Sequence, residues 1–134
     1  VSIAYEWGED PGRSETSDEA ERALLGALLL VGEVGLPACT RLRPEDFRSA
    51  QRAAVFTTIR KLSFLGTPVD VITVAHELEK GKVSPPRTMG WWTAVASLLD
   101  YKTVGATDDA SMASYARIIA EASLLRRRAA WGAA

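Results

Sequence analysis

The run from Ala23 to Val31 constrains the fold more than any other stretch of this chain. Leu24, Leu25, Leu28, Leu29 and Val31 follow so closely that a helix through them is apolar nearly all round. A helix of that kind belongs at the centre of a bundle rather than on its surface. It is expected to begin near Ser17 or Asp18, where Asp18 and Glu21 are spaced as a capping-box-like pair. Gly26, in its middle, costs about 1 kcal/mol of helix propensity relative to Ala. Close approach of a neighbouring helix would offset that cost. The run is too short to span a membrane and is interrupted by Gly26, so no membrane contact is expected.

Gly32, Gly35 and Pro37 break this helix, and a short apolar stretch follows through Leu36, Ala38, Cys39 and Leu42. Arg43-Pro44-Glu45-Asp46-Phe47 reads as a turn that plants Phe47 in the core. Val55, Phe56, Ile59 and Leu62 give a helix over 49–65 one buried face. Gly66 and Pro68 stop it. Asp70 caps the next helix, whose buried stripe is Val71, Val74, Ala75 and Leu78. Thr88 is expected to cap a fifth, carrying Met89, Trp92, Val95, Leu98 and Leu99. A loop spans 100–108. The last helix runs over 109–131, with Tyr115, Ile118, Ile119, Ala122 and Leu125 on one side. The fold class is therefore all-α, a compact bundle of about six helices. Residues 1–16 combine acids with Gly8, Pro11, Gly12 and Ser14 and read as a mobile acidic tail, with 17–134 as the helical domain. Tyr5 and Trp7 are unusual in such a tail. They read either as loosely packed or as a short docking segment for a partner.

Composition narrows the chemistry. The chain has 134 residues, 16 basic against 17 acidic, for a net charge of −1. Nucleic-acid binders normally carry a clear basic excess, so weak or no direct nucleic-acid binding is expected. One cysteine, Cys39, excludes an internal disulfide, and one histidine leaves too few ligands for a tetrahedral zinc site. No signal peptide is evident, and the cysteine usage suits a reducing cytoplasm. Gly81-Lys82 is the only fragment like a phosphate-binding loop. Val83 follows it, and His76 stands where the first glycine belongs. His76 is placed on the exposed face of its helix without catalytic partners. Asp108-Asp109 reads as a helix cap rather than a metal site. No catalytic, cofactor-binding or metal-binding residue is assigned. Leu62 to Leu78 has the parts of a helix-turn-helix, and a DNA-binding regulator is the alternative reading. Its second helix, however, would offer Glu77 and Glu79 to the phosphates. Trp91 and Trp92 lie about 100° apart on a helix. Trp92 fits the buried stripe, which leaves Trp91 as exposed contact area or as cover for a loop.

Three segments together resemble the N-terminal domain of DnaB-type replicative helicases. They are Glu21-Arg22-Ala23-Leu24-Leu25-Gly26-Ala27, then Leu42-Arg43-Pro44-Glu45-Asp46-Phe47 through Gly66 and Pro68-Val69-Asp70-Val71-Ile72-Thr73-Val74, and Tyr115-Ala116-Arg117-Ile118-Ile119 with Ser123 and Arg126. The chain departs from the family pattern at Gln51-Arg52, where a His-Arg pair is common, and at Gly90-Trp91-Trp92 and Ser111. The resemblance implies a non-catalytic interaction and oligomerisation module. In the family this domain forms a collar on the helicase ring, pairs with its own kind and binds DnaG-type primase. A helicase loader is a further partner expected here. The last helix resembles the start of the family's helical hairpin, and a parent protein would be an ATP-dependent DNA helicase. Candidate partner-interface residues are Trp91, Tyr115, Ile119, Arg126 and Arg127, and a homodimer or higher homo-oligomer is expected.

Overall fold

The computed structural model describes residues 16–132, and the tail expected over the first sixteen residues lies, apart from Thr16, outside them. The described residues contain five α-helices, two 3₁₀ segments and no strand. They are α1 (Thr16–Val31), α2 (Ala50–Phe64), α3 (Val71–Lys80), α4 (Trp91–Ser97) and α5 (Asp109–Gly132). The 3₁₀ segments span Gly32–Cys39 and Pro44–Asp46. The short apolar stretch that follows α1 is thus 3₁₀ over Gly32–Cys39. Pro37 lies within it and lacks the amide that an α-helix would need. Gly32 turns the chain out of α1 with a φ of 72°.

Helix α1 is the central helix that its composition requires. Leu24, Leu25, Ala27 and Leu28 have no exposed surface. By length and apolarity Thr16–Cys39 could cross a membrane. Its packing identifies it instead as a core helix, since α5, α2 and the first 3₁₀ segment all lie against it. It also carries the buried charges Asp18, Glu21 and Arg22. Gly26 permits a close crossing: a Cβ there would stand 2.3 Å from the carbonyl oxygen of Leu98, at the end of α4. The neighbour offsetting the glycine's cost is therefore the C-terminal end of α4 and the loop beyond, with Val104 3.0 Å from the same point.

The capping expectations divide. Asp70 caps α3, accepting from Thr73 N at 2.9 Å, while Thr73 Oγ1 accepts from Asp70 N at 3.0 Å. Ser49 caps α2, accepting from Arg52 N. Asp18 and Glu21 do not form a capping box. The helix already begins at Thr16, and both carboxylates are buried within its first two turns. Helix α4 starts at Trp91, with Gly90 before it, rather than at Thr88. That register buries Trp91, Ala94, Val95 and Leu98, an i, i+3, i+4, i+7 stripe.

Candidate functional site

The motif segments, far apart in sequence, converge on residues 43–49. Pro44 opens the short 3₁₀ turn that holds Asp46 in place. One Asp46 carboxylate oxygen accepts from the Arg43 amide at 2.9 Å. The other accepts from Ser123 Oγ of α5 at 2.8 Å. Arg126 Nη2 donates to the Asp46 carbonyl at 2.9 Å, and Arg127 stands 3.5 Å from its carboxylate. One aspartate thus fastens α5 along a whole turn. Phe47, next in sequence, stacks on Phe56 of α2 with ring centroids 5.0 Å apart. The amide of Arg48 donates to both oxygens of Glu21 on α1, at 3.2 and 3.0 Å. Three successive residues therefore tie down α5, α2 and α1.

A buried ionic cluster continues from there. Arg52, with no exposed surface, donates Nε to Glu21 at 2.7 Å and Nη2 to Asp18 at 2.8 Å. Arg48 reaches the second Asp18 oxygen at 2.9 Å. Burial pushes the Glu21 carboxyl up to about 7, against the pull of the Arg48 amide. Burial also lowers Arg52 to about 9, and the nearby Arg126 adds to that shift. Both directions express the cost of withdrawing ions from water. Arg126 thus acts electrostatically on the pair while holding Asp46, so the two clusters form one network.

The candidate interface residues fall into three groups. Trp91 and Ile119 are in the core, with 3% and 0% of their surface exposed. Trp91 also donates its indole N–H to the carbonyl of Val83 at 3.3 Å. The expected roles of the two tryptophans are reversed: Trp92 is the exposed one, in a helix capped at Gly90, two residues later than expected. Tyr115 and Arg126 are partly buried and engaged within the chain, the Tyr115 hydroxyl accepting from the Ala106 amide at 3.0 Å. Arg127 is more than half exposed.

Beyond Arg126 every described residue of α5 is exposed. Leu125 and Trp131 are 64% and 74% exposed, and Leu124 is partly uncovered. Leu125 was expected on the buried side of its helix. It faces solvent because α5 outruns the elements that cover its N-terminal half. Upstream on the same helix, Ala113, Ala116, Ala120 and Leu124 border a groove of about 430 Å³ against Thr40 and Leu42. The site is thus a helix anchored at its middle by Asp46 and exposed beyond it.

The other candidates for chemistry stay apart. His76 is exposed. Cys39 is buried, its thiol pushed up to about 11 by burial. Hydrogen bonds from the Ser111 side chain and backbone hold the Asp108 carboxyl below the usual range, consistent with a helix cap. No group of three metal-ligating side chains occurs among the described residues. Sequence reasoning missed the Asp18–Glu21–Arg52 cluster, although the chain offers a signal. Charged residues on a helix otherwise apolar all round must find buried partners.

Comparison with known proteins places these observations. Residues 13–121 match the model of the DnaB-like helicase N-terminal domain. The chain is 35% identical over 111 residues to the replicative DNA helicase DnaB of Geobacillus stearothermophilus, covering 83% of this chain and 23% of that protein. It is 35% identical over 120 residues to the DnaB of Mycobacterium leprae, covering 89% of this chain and 19% of that one. The chain therefore spans about a fifth of the length of these relatives. The crystal structure of the N-terminal domain of DnaB helicase from Mycobacterium tuberculosis superposes with a TM-score of 0.72 at 34% identity. That match covers 86% of this chain and 78% of that one.

Proposed function

The chain belongs to the DnaB-like helicase N-terminal domain family, and on that footing we propose that it is a non-catalytic interaction and oligomerisation module acting in DNA replication. It pairs with a second copy through the distal turns of α5, as part of the collar of a replicative helicase. The same module offers a docking site to a DnaG-type primase or a helicase loader. The observation that carries this reading is the bare end of α5. Leu125 and Trp131 expose large apolar surface on a helix that Asp46 fixes rigidly upstream. Tryptophan is enriched among the residues that dominate binding energy at protein interfaces. The fastening of α5 to Asp46 as far as Arg127 limits the entropy that Leu125 loses on docking.

Sedimentation velocity over a wide concentration range tests the pairing. The module is expected to shift from one to two copies, or to a higher closed assembly, as concentration rises. A monomer at every concentration contradicts the pairing. Titration with the C-terminal domain of a DnaG-type primase tests the docking, and saturable binding is the expected result.

A further inference from the structure

One face of α5 repeats with the period of a coiled-coil seam. Ala113, Arg117, Ala120, Leu124, Arg127 and Trp131 recur at alternating spacings of four and three residues. At about 100° per residue they fall within a stripe roughly 80° wide. That spacing lets one helix lie along another. The first half of the stripe borders the open groove of about 430 Å³ against Thr40 and Leu42. The second half carries the large side chains, Leu124 at 40% exposure and Trp131 at 74%. Arg127, between them, is drawn toward the body, 3.5 Å from Asp46. A groove at one end of the seam and an exposed indole at the other are complementary. They meet in a second copy only if the two helices run in opposite directions.

The charges select the same arrangement. Glu121 and Arg128 stand seven residues apart on one flank of the stripe. Both are exposed, and neither is ion-paired among the described residues. Parallel copies would set Glu121 against Glu121 and Arg128 against Arg128. Antiparallel copies set each Glu121 against Arg128 of the other, once on either side of a two-fold axis. That register puts Leu124 at the axis. Seven residues, about 10 Å, in each direction bring Trp131 of one copy opposite Arg117 of the other. We infer, on the footing of the α5 pairing proposed above, that two copies lie antiparallel about a two-fold axis at Leu124. Glu121 of each copy faces Arg128 of the other, and each Trp131 seats in the other's groove beside Ala113 and Ala120. Arg117 of the second copy then meets the face of the indole. Direction, register and the charges that decide them are thereby added to the pairing.

Sedimentation velocity of the full chain and three charge variants tests this. Glu121→Arg and Arg128→Glu are each expected to weaken association about tenfold, because each sets like charges opposite one another at both flanks. The double variant Glu121→Arg with Arg128→Glu exchanges the charges and is expected to restore association to the level of the unsubstituted chain. Both substituted residues are exposed, so an unchanged Tm verifies that the fold is retained in all three. Single variants that associate as tightly as the unsubstituted chain overturn this register, and so does a double variant as weak as the singles. Either result leaves pairing through α5 standing in another arrangement. An unsubstituted chain that stays monomeric at every concentration overturns the pairing itself, and this register with it.

Discussion

At Glu21 two opposing forces act on one carboxyl. It accepts hydrogen bonds from Arg52 and Arg48, yet its burial keeps its pKa near 7 against an ordinary value of 4.5. Between about pH 4.5 and 7 the folded chain therefore holds a proton that the unfolded chain has released. The stability this group contributes is fully present below pH 4.5 and is lost as pH rises through 7. Glu21→Gln is expected to flatten the dependence of Tm on pH across that window, measured by circular dichroism against the unsubstituted chain. An unchanged slope would show that Glu21 titrates normally. Arg52→Ala leaves Asp18 and Glu21 without their central cation and is expected to cost about 3–5 kcal/mol in urea unfolding. Ser123→Ala removes a single buried hydrogen bond to Asp46 and is expected to cost about 1–2 kcal/mol. Gly26→Ala drives a Cβ onto the Leu98 carbonyl, a backbone atom that cannot swing away. A loss of about 1–3 kcal/mol is expected there.

The elements differ in how plainly the sequence announces them. Helices α2 and α3 were legible because strong local signals agree. Ser49 and Asp70 cap them, and single apolar stripes define their buried faces. Helix α4 was legible as a helix but not in register. Trp91 and Trp92 offer two adjacent large rings, and periodicity alone does not say which faces inward. The actual start at Trp91 and the hydrogen bond from its indole to Val83 decide the matter, and both are tertiary facts. Helix α5 was legible in extent, but the emergence of its end was not. Whether Leu125 is covered depends on the length of the neighbouring elements rather than on its own neighbours in sequence. This yields a prediction at the same scale. Amide hydrogen exchange should be slow from Met112 to Arg127 and fast from Arg128 onward, because only the former stretch is packed or fastened to Asp46. Uniform protection along α5 in a monomeric sample would contradict that picture.

For the molecule as a whole, the central helix and the all-α class were readable from residue pattern, and the family through the resemblance of three motif segments. The proposed contact role rests on resemblance and on the exposed end of α5. What the sequence hides is how its motifs cooperate. Asp46, Ser123 and Arg126 are separated by up to 80 residues, yet they form one latch between the turn at 43–49 and α5. No local pattern encodes such a pairing, because its members meet only in the folded chain. The latch gives the molecule its organisation, a packed body with one exposed helix end beyond the turn fastened to Asp46. The pair Leu125→Glu with Trp131→Glu tests this account most directly, set beside Phe64→Glu as an exposed apolar control on α2 and compared by sedimentation velocity and thermal unfolding. The account predicts that the α5 pair weakens self-association at least tenfold without lowering Tm, while Phe64→Glu leaves association intact. Undiminished association of the α5 pair would contradict it.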